Sequence, residues 1–116
     1  MWNTYANCSY LRTAACGPRV TSMDYTYQGC YIKLKTAVCG SRVTRLDRTY
    51  FGCDNLTTAA CGPSVVNMRL TYYSCSNLTT AVCGPNVTEM DGTYEYCTNL
   101  TTAVCGPNVV NMSSTY

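Results

Sequence analysis

A mainly β repeat solenoid is the fold class this sequence predicts: a single right-handed stack of about five 22-residue coils, each with a short parallel strand and 3-10 turns. Three observations predict it. A period of 22 residues fills the 116-residue chain, with one 23-residue copy. Like residues recur at like positions in every copy, forming ladders. A unit this short cannot bury a core alone, whereas stacked units bury one by placing each residue over its counterpart.

The units begin at residues 1, 23, 46, 68 and 90, with a partial unit over 112–116. The extra residue lies in the second unit, where Cys30 to Leu34 is four steps and Cys53 to Leu56 is three. Tyrosines recur at Tyr5, Tyr27, Tyr50, Tyr72, Tyr94 and Tyr116. A first cysteine ladder runs Cys8, Cys30, Cys53, Cys75, Cys97; a second runs Cys16, Cys39, Cys61, Cys83, Cys105. Leucines recur from Leu11 to Leu100 and valines from Val20 to Val109. The unit-opening position reads Met1, Met23, Leu46, Met68, Met90, Met112.

Within the fourth unit, Ala81 and Cys83 alternate as inward positions of a short strand, leaving Thr80 and Val82 outward. Gly84-Pro85 ends that strand, since proline cannot serve an interior ladder. Val87 and Met90 return the chain to the core. Asp91-Gly92 reads as a turn, with Thr93 placed to cap a short helical or 3-10 segment through Tyr94 and Cys97.

The resulting pattern, T-Y-x-x-C-x-N-L-T-T-A-x-C-G-P-x-V-x-x-M, resembles the BspA-like leucine-rich repeat. Tyrosine stands at that family's phenylalanine position. The first cysteine ladder, the leucines, and Pro18, Pro63, Pro85 and Pro107 match its cysteine, leucine and proline. Most units here are one residue shorter, a cysteine replaces the strand's second aliphatic, and a glycine is added after it. A more symmetric β-solenoid is the alternative architecture. The resemblance implies a surface or secreted adhesion module.

Composition narrows function. Histidine is absent and acidic residues number six, which argues against most acid–base and metal chemistry. No catalytic residue, metal site or cofactor is expected. Net charge is +2, too small for a dedicated nucleic-acid binder, and no 18-residue apolar run predicts membrane insertion. No signal peptide opens the chain, and a fragment of a larger protein fits as well as a whole one. For the ten cysteines the plainest reading is free thiols packed as small hydrophobes. Bridges within a ladder, or across ladders as from Cys75 to Cys83, are the alternative. Metal binding is the weakest reading, as no C-x-x-C occurs.

The candidate binding face is the outward strand surface: Thr13, Thr36, Thr58, Thr80 and Thr102, flanked by Val38, Val82 and Val104. Plain strand preference explains such residues too. A Thr-x-Val array also suits ice binding. Variable positions after the first cysteine (Ser9, Tyr31, Asp54, Ser76, Thr98), with exposed Tyr73 and Tyr96, are the other pointers to a protein or cell-surface partner. Asn55, Asn77, Asn86 and Asn99 each open an N-x-T triplet. They read as a stacking ladder or as glycosylation acceptors. Residues 1–58 hold seven basic and three acidic side chains, residues 59–116 one and three. That asymmetry, with in-register ends, raises head-to-tail self-association into filaments as an alternative function.

Overall fold

The structure, a computed structural model, describes residue 7 and residues 12–14, 17–30, 33–104 and 106–116. Met1, Tyr5, Cys8, Ser9, Leu11, Cys16, Tyr31 and Cys105 lie outside the described residues. Five short strands form one parallel sheet in sequence order: β1 (Thr13–Ala14), β2 (Thr36–Val38), β3 (Thr58–Ala60), β4 (Thr80–Val82) and β5 (Thr102–Val104). Register is strict, with Thr36, Thr58, Thr80 and Thr102 paired in line. Opposite the sheet, a second parallel line of single bridges joins Ser22, Arg45, Asn67, Glu89 and Asn111. Among the described residues, no helix is long and apolar enough to cross a membrane.

The core is the space between these two lines, filled by the ladders. Leu34, Leu56 and Leu78 are fully buried, as are Val43, Val65 and Val87, and Met23, Leu46, Met68 and Met90. Tyr27, Tyr50, Tyr72 and Tyr94 stack with ring centroids 5.5, 5.5 and 5.8 Å apart and planes within 2° of parallel. Tyr116 continues the stack 5.8 Å from Tyr94, tilted by 25°. Each buried ring removes on the order of 150–250 Å² from water, so this column is the largest apolar element of the core.

The continuous helical or 3-10 segment expected through Tyr94 and Cys97 does not form among the described residues; its three-residue turns stand singly. Thr93, Glu95 and Cys97 donate to the carbonyls three residues back, at Met90, Gly92 and Tyr94. The interleaved amides of Gly92 and Tyr94 donate instead to Ser113 and Thr115 in the following coil. Two left-handed positions per unit enforce this alternation. Tyr25, Arg48, Leu70, Gly92 and Ser114 form one set, with φ between 52 and 63°. Asn7, Gly29, Gly52, Ser74 and Tyr96 form the other, with φ between 60 and 76°. A left-handed residue cannot continue a right-handed helix, and it swings its own N–H out of the coil. The amides of Tyr25, Arg48, Leu70, Gly29, Gly52 and Ser74 all donate to the next coil. The backbone is thereby satisfied between coils rather than within a helix.

Thr93 does not cap a helix either. It is fully buried, and its hydroxyl proton is shared between the carbonyls of Met68 and Met90, each 2.8 Å away. Thr49 and Thr71 donate in the same way to Met23 and Leu46 at 2.7 Å. A cap accepts from the first amides of a helix, whereas no helix follows Thr93 and its hydroxyl donates instead.

Candidate functional site

The strand face follows from a three-residue alternation. In β2, β3 and β4 the central alanine is buried and both flanking residues are exposed. Parallel pairing then aligns Thr36, Thr58, Thr80 and Thr102 in one row, beside Val38, Ala60, Val82 and Val104 in another. Thr13 extends the threonine row through its pairing with Thr36. Neighbouring strands lie about 4.8 Å apart, so one hydroxyl and one aliphatic group recur at that step. Val38, Val82 and Val104 are 62%, 46% and 52% exposed.

Two adjacent threonine rows behave differently. Thr57, Thr79 and Thr101 turn their hydroxyls onto the backbone carbonyls of Lys35, Thr57 and Thr79 in the preceding coil, at 3.4, 3.1 and 3.1 Å. Those hydroxyls are committed to holding coils together. In the neighbouring row, the hydroxyls of Thr36, Thr58, Thr80 and Thr102 make no hydrogen bond among the described residues, and all four face solvent. Sequence inspection does not separate the rows, because both are threonine beside threonine.

The described thiols are engaged between coils. Cys30, Cys39, Cys53, Cys61, Cys75, Cys83 and Cys97 carry thiols rather than disulfides. In the first ladder Cys53, Cys75 and Cys97 donate to the carbonyls of Tyr27, Tyr50 and Tyr72, at 3.2, 3.1 and 3.0 Å. In the second, the sulfurs of Cys39, Cys61 and Cys83 accept from the amides of Gly62, Gly84 and Gly106 one coil on. Burial pushes the Cys97 thiol up to about 11 and the Cys61 thiol up to about 12; in Cys61 the Gly84 amide opposes part of that rise. Thiols held protonated at neutral pH are poor nucleophiles and poor metal ligands. Among the described residues no group of three or more cysteine or carboxylate side chains is placed to hold a metal ion.

The added glycine now has a physical cause. A Cβ on Gly62, Gly84 or Gly106 would stand 2.8, 2.7 or 2.6 Å from the glycine carbonyl oxygen of the preceding coil. Only glycine allows that approach, which also brings its amide to the cysteine sulfur.

Other predicted positions lie elsewhere. Asn77 and Asn99 donate their side-chain amides to Asp54 and Ser76, and Asn86 donates to Pro63, so these asparagines stitch successive coils. Phe51, Tyr73 and Tyr96 form an aromatic ridge, with Phe51 stacked on Tyr73 at 4.7 Å and Tyr96 edge-on to it at 5.2 Å. Tyr96 is 59% exposed. The three cations Arg12, Lys33 and Lys35 gather with Thr13 and Thr36 around a cleft of about 470 Å³ at the β1–β2 end of the face. No family model matches this chain, and no curated protein or solved structure matches it.

Proposed function

We propose that the chain is a non-enzymatic binding module of the leucine-rich-repeat kind, a right-handed coil stack that recognises protein or cell-surface ligands through its strand face. The likeness to BspA-like repeats supports a surface or secreted adhesion role. One observation carries the reading: the Thr36, Thr58, Thr80 and Thr102 hydroxyls are exposed and uncommitted, while those of the next row are used up internally. Among the described residues no coil-to-coil hydrogen bond uses the hydroxyls of that row. Coil-to-coil bonds hold it rigid, so contacts to a repetitive ligand add with little ordering cost.

Ice binding is the second reading, favoured by the same regular alternation of free hydroxyls and exposed valine methyls. Both readings meet one experiment. Beads coated with the chain are tested for adhesion to cultured cell layers, and the soluble chain for thermal hysteresis. Each assay is repeated with Thr58→Tyr/Thr80→Tyr. Adhesion lost in the folded variant supports the binding module. Adhesion absent, or unchanged in the variant, overturns it. Hysteresis that collapses in the variant supports ice binding.

A further inference from the structure

The second unit is the one 23-residue copy, and it carries two cations where later units carry neutral residues. Where later units place Asn55, Asn77 and Asn99 ahead of the core leucine, this unit places Lys33. Where later units place Thr57, Thr79 and Thr101 behind it, the first two units place Arg12 and Lys35. The neutral residues are self-satisfying: Asn77 and Asn99 bond the preceding coil, as do Thr57, Thr79 and Thr101. The three cations are not. Arg12 and Lys35 occupy matching positions immediately before β1 and β2, where the Lys35 amide donates to the Arg12 carbonyl at 3.3 Å. Like charges so placed repel.

No carboxylate relieves them. The ion pairs among the described residues use Asp24 with Arg45, and Asp47 and Asp91 with Arg69. No acidic residue precedes Asp24 in the chain. Asp54, one coil further on, is exposed and forms no ion pair with the three cations. The cations instead border an open cleft together with Thr13 and Thr36.

We propose that this cleft is an anion site, in which Arg12, Lys33 and Lys35 hold a tetrahedral oxyanion, a sulfate or phosphate ester group, with the Thr13 and Thr36 hydroxyls as further donors. Arginine supplies a planar fork to two oxygens and the lysines supply mobile point charges. The site does not depend on the wider threonine face being a ligand surface, and its failure leaves that reading intact.

The test is an NMR titration of the full chain with sodium sulfate, sodium phosphate, a sulfated disaccharide and a phosphomonoester, each at constant ionic strength against chloride. Saturable shifts at the Lys35 and Thr36 amides are expected with the tetrahedral oxyanions and not with chloride. The tighter of the two organic probes identifies the source of the group. Lys33→Asn/Lys35→Thr, which installs the residues of the later units, is expected to weaken binding at least tenfold while keeping the fold. Lys33→Gln/Lys35→Gln serves as a second pair that retains the side-chain stems. Shifts that do not saturate, that chloride reproduces, or that persist undiminished in both variants would overturn the proposal.

Discussion

The amide of Gly84 donates to the Sγ of Cys61, one coil earlier, across 2.7 Å. The same approach leaves a hypothetical Gly84 Cβ 2.7 Å from the Gly62 carbonyl oxygen. Gly84→Ala must therefore push two coils apart along the sheet, at a cost of about 1–3 kcal/mol. Gly17 holds the same repeat position in the first coil and has nothing within 4 Å of its Cβ site. Gly17→Ala is expected to change stability by less than about 0.5 kcal/mol. Urea denaturation of the two variants checks the contrast.

Thr71 is buried and its hydroxyl donates to the Leu46 carbonyl at 2.7 Å. Thr71→Val keeps the shape and removes the donor. The Leu46 carbonyl still accepts from the Thr49 amide, so the loss is expected near the lower end for a buried hydrogen bond, about 1 kcal/mol. Thr58→Val, on the exposed face, should be close to neutral. Equal losses at both positions would contradict the division of threonines into buried rungs and free surface.

Ser74 has φ of 60°, at the position that glycine fills as Gly29 and Gly52. Holding a non-glycine residue there costs about 1–2 kcal/mol, part of which glycine returns as unfolded-chain entropy. Ser74→Gly is expected to raise stability by roughly 0.5–1 kcal/mol, visible as a higher denaturation midpoint at unchanged slope. A lower midpoint would mean the serine makes a contact worth more than the strain.

Tyr72 lies between Tyr50 and Tyr94 in the ring stack, and burial raises its hydroxyl well above the ordinary range. Tyr72→Ala is expected to cost about 3–5 kcal/mol. Arg69→Ala removes a half-exposed guanidinium that pairs with Asp47 and Asp91 at 3.8 and 3.6 Å. Its expected cost is below about 1 kcal/mol. Thermal melts of the pair test whether packing or surface charge dominates.

Buried thiols set the alkaline limit. The Cys97 thiol is raised by burial from its ordinary value near 9.0 to about 11, and the Cys61 thiol to about 12. Unfolded thiols ionise first, so between those values the unfolded chain carries fewer protons than the folded one. Stability contributed by the neutral thiols is whole below about pH 9 and falls as pH rises through 11–12. Denaturant midpoints measured from pH 7 to 11 should decline above pH 9, and Cys97→Ala should flatten the decline.

The sequence by itself determined the coil stack. A 22-residue period carrying Leu56, Cys53, Val65 and Tyr50 onto Leu78, Cys75, Val87 and Tyr72 leaves only like-on-like stacking to bury those side chains. It also determined the outward sense of Thr80 and Val82, because strand side chains alternate. Hydrogen-bond partners one coil away were decided by the tertiary structure alone. The non-glycine left-handed residue Leu70, the buried Thr93 rung and the Gly84–Cys61 contact each depend on a partner in a neighbouring coil. Local residue preference is silent about such partners. The same limit applies to the threonines: Thr79 and Thr80 are chemically identical neighbours, and only the position of the Thr57 carbonyl makes one a tie between coils and leaves the other facing solvent.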